Sequence, residues 1–176
     1  MARLVVFLRA INVGGRTVAM SRLVELFEAL ECDDVTTFIA SGNVILTSSA
    51  RPSLLERQID RHLEAELGFR AEAFVRTLPA LRAVRAQEHF TAAEVGRAHA
   101  LMVGFVRKAI AADVARRVAA LSGPVDRLHC DGTELYWLRT APESDPKLAS
   151  GLEMAVGQPM TVRNVNTVRR ILEKFG

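Results

Sequence analysis

The sequence predicts an α+β protein of two lobes, and three observations carry that prediction. The 176 residues are 49% hydrophobic, enough to build a sizeable core. Across residues 1–76, short strand-like apolar runs alternate with apolar stripes of helical period. A similar order of elements starts again near residue 100.

Arg3 to Arg9 is the first strand. Its run Leu4-Val-Val-Phe-Leu8 is continuously apolar, as expected where both faces are covered. It opens into Arg9-Ala-Ile-Asn-Val-Gly-Gly-Arg16, a glycine-containing loop. A helix follows from Ser21 to Leu30, with Ser21 as N-cap and Leu23, Leu26, Phe27 and Leu30 on one stripe. Val35 to Ala40 and Val44 to Thr47 are strands joined through Ser41-Gly-Asn43, whose glycine and asparagine tolerate positive φ. The second helix, Ser53 to Leu67, repeats Leu55, Ile59, Leu63 and Leu67 and ends at Gly68. Arg70 to Arg76 is the fourth strand. The order βαββαβ is that of the ferredoxin-like motif, two helices on one face of an antiparallel sheet. That topology brings the Arg9–Arg16 loop, the Ser41–Asn43 turn and the start of the first helix to one end of the sheet.

Residues 77–99 read as a helical linker, with Thr77 as cap and Pro79 in the first turn. Glu88 to Val95 fits either a loop or a short helix. The second lobe, residues 100–176, starts with a strand from Ala100 to Arg107 and a helix from Ala111 to Leu121. Asp126–Cys130 and Glu134–Arg139 then flank Asp131-Gly132, a type I′ hairpin signal. This βαββ order is partly similar to the first lobe. C-terminal helices complete it, one from Lys147 to Val156 and a last one from Thr161 to Phe175, which returns toward the first lobe.

Composition narrows the function classes. The net charge of +3 is ordinary for a globular chain, although 20 of the 23 basic residues are arginine. No apolar run approaches the roughly 18 to 20 residues of a membrane span, and Met1-Ala-Arg3 leads straight into a strand, with no signal-peptide pattern. A cytoplasmic protein is expected. Cys32 and Cys130 lack metal spacing and read as small hydrophobes, and His62, His89, His99 and His129 occur singly.

Three stretches carry a family resemblance: Phe7-Leu-Arg-Ala-Ile-Asn-Val-Gly-Gly15, Ser41-Gly-Asn-Val44 and Thr161-Val-Arg-Asn-Val-Asn-Thr167. Together they resemble the bacterial family catalogued as domain of unknown function 1697. Arg9, Asn12, Gly14, Gly15, Ser41, Gly42, Asn43, Arg163, Asn164 and Thr167 fall on its signature positions. The resemblance implies a compact fold of two related lobes and assigns no activity. The chain departs from the family pattern at Ala10 (usually glycine), at Val165 (usually tryptophan) and near Glu88-His-Phe90 (commonly Asn-Pro-Phe). Ala10 is expected to be harmless if the positive φ angles of the loop belong to Gly14 and Gly15.

The candidate ligand-binding residues are Arg9, Asn12, Gly14, Gly15, Arg16, Ser41, Asn43, Arg163, Asn164 and Thr167. Backbone N–H groups beside arginines suit a small anionic ligand, a nucleotide among them. Arg9 and Arg163 are expected to share a pocket between the lobes. The loop lacks the Gly-x-x-x-x-Gly-Lys order of a phosphate loop and the dinucleotide fingerprint, so no cofactor follows from it. No motif places a metal, a carboxylate pair or a catalytic triad, and enzymatic activity stays open. Two other classes compete. One is a scaffold or interaction protein whose polar motifs lock loops and caps. The other is an RNA binder, which Val44-Ile-Leu46 serves poorly because it offers no aromatic for stacking.

Overall fold

The structure, a computed structural model, describes residues 1–39 and 42–176, with side chains at all of these except 149 and 150. Its backbone divides into two units, Met1–Leu81 with Lys174–Gly176, and Arg82–Glu173.

The first unit holds β1 (Ala2–Arg9), α1 (Met20–Glu28), β2 (Asp33–Thr37), β3 (Asn43–Ser48), α2 (Pro52–Leu67) and β4 (Glu72–Thr77); α3 (Leu78–Arg85) begins in it. The strand order is β2-β3-β1-β4 with antiparallel neighbours, the ferredoxin-like arrangement. Alternation along β1 sends Leu4, Val6 and Leu8 into a core with Leu23, Leu26 and Phe27 of α1 and Leu55, Ile59 and Leu63 of α2. Val5, Phe7, Ile45 and Phe74 on the opposite face are buried as well.

β4 is an edge strand, and α2 supplies what its outer side lacks. The Glu56 carboxylate accepts the Val75 N–H at 2.9 Å, and that of Asp60 accepts the Ala73 N–H at 2.8 Å. Residues four apart on a helix and two apart on a strand each share a face, so the two spacings match.

The second unit contains α4 (Ala92–Arg97), β5 (Ala100–Phe105), α5 (Ala112–Ala119), β6 (Asp126–Asp131), β7 (Glu134–Arg139), α6 (Pro146–Val156), β8 (Thr161–Asn164) and most of α7 (Val165–Phe175). Its strand order, β6-β7-β5-β8, repeats that of the first sheet. One face carries Leu128, Leu135 and Trp137 against Val118 of α5 and Leu148 and Leu152 of α6. Trp137 Nε1 donates to the buried Asp126 carboxylate at 2.7 Å.

Three local expectations are corrected. The Thr161 segment is not the first turn of a helix: Thr161–Asn164 pairs with β5 and completes a second βαββαβ unit. Asn164 then accepts the Asn166 N–H at 2.8 Å and caps α7. The β6–β7 hairpin closes through Gly132 and Thr133 between the paired Asp131 and Glu134, with positive φ at Gly132 alone, as in a type II′ turn rather than I′. Ser21 lies inside α1, whose N-cap is Ala19. In the linker, residues 92–97 are helical, fixed by a capping box in which Thr91 accepts the Glu94 N–H and Glu94 accepts the Thr91 N–H. Among the described residues, no helix is long and apolar enough to cross a membrane.

Candidate functional site

The ladder of the first sheet sets Asn43 opposite Phe7 and Glu72 opposite Arg9, so the ends of β1, β3 and β4 meet. The Leu8 N–H donates to the Gly42 carbonyl at 2.7 Å. A Cβ on Gly42 would lie 2.8 Å from Ile11 Cγ2 and 3.1 Å from Leu8 Cβ. The first loop and the 42–43 turn are thus packed against each other, as the topology predicts.

Each polar candidate here has an internal task. The Asn12 carboxamide oxygen accepts the Val18 N–H at 2.8 Å and closes the loop ahead of α1. Asn43 is fully buried, and its side chain donates to the Phe38 carbonyl at 3.0 Å. Gly14 and Gly15 have φ of 63° and 79°, and the Arg16 N–H donates to the Val13 carbonyl at 3.2 Å, the pattern of a type I′ turn. Ser41 lies outside the described residues.

Left-handed backbone extends beyond the glycines. Ala10 has φ 62° and Ile39 φ 60°. The positive angles therefore do not belong to Gly14 and Gly15 alone, and Ala10 carries steric cost where glycine would be free of it. A β-branched residue in this region is a marked outlier. The rings of Phe38 and Phe175 meet edge-on at 5.9 Å beside it.

Charge gathers along the segment Phe69–Glu72. Arg9 and Arg70 both pair with the buried Glu72 carboxylate, Arg70 at 3.0 Å. The Arg16 guanidinium stacks over the Phe69 ring, 4.7 Å from its centre. Three cations thus stand on a segment that offers one carboxylate.

The third signature stretch belongs to the second unit. Arg163 donates to Thr161 Oγ1 at 2.8 Å and to the Val162 carbonyl at 2.9 Å, and burial draws its pKa down to about 10, leaving it charged at neutrality. Asn164 caps α7, and Thr167 is half-buried in the first turn of that helix.

A second cluster escaped the sequence. His89 and His129 stack at 4.1 Å between ring centres, His89 lies 4.8 Å from the Tyr136 ring, and His89 Nε2 is 3.3 Å from the Asp131 carboxylate. The hairpin register already sets His129 opposite Tyr136. The position of His89, forty residues away in sequence, had no such signal. Burial pushes the Cys32 and Cys130 thiols up, Cys130 to about 11, so both stay protonated. Among the described residues, no three His, Cys, Asp or Glu side chains form a group that could hold a metal ion.

Two ferredoxin-like units and a braced, partly cationic loop cluster at one sheet end define a two-unit α+β protein. The sequence pattern of the family described as "Protein of unknown function (DUF1697)" matches residues 1–136, and the chain belongs to that family. The fold is similar to that of the conserved bacterial protein SP0830 from Streptococcus pneumoniae, with a TM-score of 0.79 at 22% identity over 99% of this chain and 98% of that one. No curated protein matches the chain.

Proposed function

We propose that this protein is an interaction module, and that the loop cluster at the end of β1 is the surface it presents to a protein partner. One observation carries this. Non-glycine residues Ala10 and Ile39 are held in left-handed conformations within a cluster whose asparagines and Gly42 are all engaged in holding it. Strain of this kind persists where the surrounding structure enforces a particular surface. The cluster turns Val13 and Ile39 toward solvent, 53% and 43% exposed, with Arg16 beside the glycine turn. A partner with an apolar patch bordered by acidic groups complements it. A cytoplasmic setting accords with two free thiols.

The test pairs two measurements. Val13→Asp and Ile39→Asp should abolish in-cell cross-linking to the partner without lowering the melting temperature, since aspartate tolerates the left-handed backbone at position 39 better than isoleucine does. A thermal-shift screen of nucleotides, sugar phosphates and small acids should show no stabilisation.

The cations near Glu72 favour a second reading, a small anion bound by Arg16 and Arg70. Stabilisation by a phosphate or carboxylate, lost in Arg16→Ala, would select it. RNA is the weakest of the three classes, because both faces of the first sheet bury the positions that would stack bases.

A further inference from the structure

We propose that His89 and His129 form a proton-operated latch over Tyr136. With both imidazoles neutral, the stacked rings hold Glu88–Phe90 against β6 and β7. With both protonated, the rings part and the Tyr136 phenol meets solvent, while α4 stays docked.

The geometry gives the latch its parts. His89 comes from the segment before α4, and His129 from β6, where it pairs across the ladder with Tyr136 of β7. The rings lie nearly parallel, 21° apart in plane and 4.1 Å apart at their centres. His89 covers Tyr136, which is 4% exposed. Two neutral imidazoles stack well at this distance, and two imidazolium ions repel.

The surrounding charges set the balance. Asp131, next but one along β6, lies 3.3 Å from His89 Nε2 and offsets one proton. Glu134 at the start of β7 accepts the Thr133 hydroxyl at 2.9 Å. Arg127 on β6 is paired with Glu94 of α4 and stacks over Phe90, 5.3 Å from the ring centre. Glu88 on the moving segment is exposed.

The sign follows from the environment of His129. His129 is exposed along β6, and its partial burial first, then the neighbouring His89, hold its pKa below the ordinary 6.5, against an opposing pull from Asp131. The closed latch thus disfavours the proton. Closure is complete above the ordinary value and is lost as pH falls below it. Glu94 does not take part in that range, since its carboxyl is held near 2. Its pairing with Arg127 keeps α4 in place while the histidine end opens.

The sequence contains one tyrosine, so a single ring signal in a carbon-13 tyrosine-labelled sample reports the latch. A soluble paramagnetic agent should broaden that signal severalfold more at about pH 5 than at about pH 7.5, the interval in which imidazoles change charge. Amide exchange in α4 should stay protected throughout. His129→Phe keeps a stacking ring without the proton, and its Tyr136 broadening should be flat with pH. Asp131→Asn removes the carboxylate that supports protonation, so the opening midpoint should move to lower pH. A flat wild-type profile overturns the latch, as does an unchanged rise in His129→Phe, or loss of α4 protection in step with Tyr136 exposure. Should His129→Phe fail to fold, an unmoved midpoint in Asp131→Asn overturns it instead.

Discussion

Glu56 on α2 accepts the backbone N–H of Val75 on β4, a contact between a buried helix carboxylate and the outer side of an edge strand. The same carboxylate lies 4.0 Å from the Arg76 guanidinium, which is also buried. Glu56→Ala leaves the Val75 N–H without this acceptor and takes away the nearby negative charge. The expected loss is about 2 to 3 kcal/mol of stability, read by urea denaturation. Asp60→Ala, which frees the Ala73 N–H nearer the strand's start, should cost about 1 kcal/mol. Equal, negligible effects would show that water replaces both carboxylates.

Ala10 is the position where a substitution should help. At φ 62° its Cβ adds a steric cost that glycine lacks. Ala10→Gly should raise stability by about 0.5 to 1 kcal/mol, the relief of strain outweighing the added freedom of the unfolded chain. A lower urea midpoint for Ala10→Gly would show that the loop relaxes around alanine.

Gly42 and Gly14 are both left-handed, yet their surroundings differ. A Cβ at Gly42 runs into Ile11 and Leu8, and one at Gly14 meets nothing within 4 Å. Gly42→Ala should cost about 3 kcal/mol, backbone strain plus overpacking. Gly14→Ala should cost about 1 kcal/mol, from the backbone alone. Thermal unfolding of the two variants side by side tests the difference, and similar losses would count against the close packing of the two loops.

Glu94 offers a pH test separate from the histidines. The Thr91 N–H first, then the Arg127 guanidinium, hold its carboxyl pKa down to about 2. A lowered pKa means that the contribution of the capping box is full above the ordinary 4.5 and fades as pH falls through about 2. A carbon-13 titration of the Glu94 carboxyl should show no midpoint above about 3, where an exposed glutamate would already have titrated. Thr91→Ala should move the midpoint upward.

The first unit was legible because its signals are local. Leu4–Leu8 and the four-residue repeat of α2 each identify their element alone, and topology then places Asn43 near the first loop. β8 was hidden because Thr161-Val-Arg-Asn164 also suits the first turn of a helix. The free edge of β5, some sixty residues earlier, decides the matter. The capping box Thr91-Ala-Ala-Glu94 stood in the sequence and settles the short helix that the linker left open. The left-handed Ala10 and Ile39 carry no compositional mark, since neither residue type favours that backbone. The roles of Asn12 and Asn43 were recognisable as ligand-holding or loop-holding, and only hydrogen-bond partners distinguish the two.

The repeated strand order leaves each sheet with two outer strands, and three of these four edges are guarded, each in a different way. Carboxylates of α2 occupy the outer side of β4, the Ser122 hydroxyl accepts the Leu128 N–H of β6 at 3.0 Å, and β2 carries a bulge with Asp34 at φ 50°. Such edges make poor templates for a foreign strand. Opening any one of them, as Glu56→Ala does at β4, should therefore show first as polymerisation of the native protein on standing at high concentration, before any loss of fold in dilute solution.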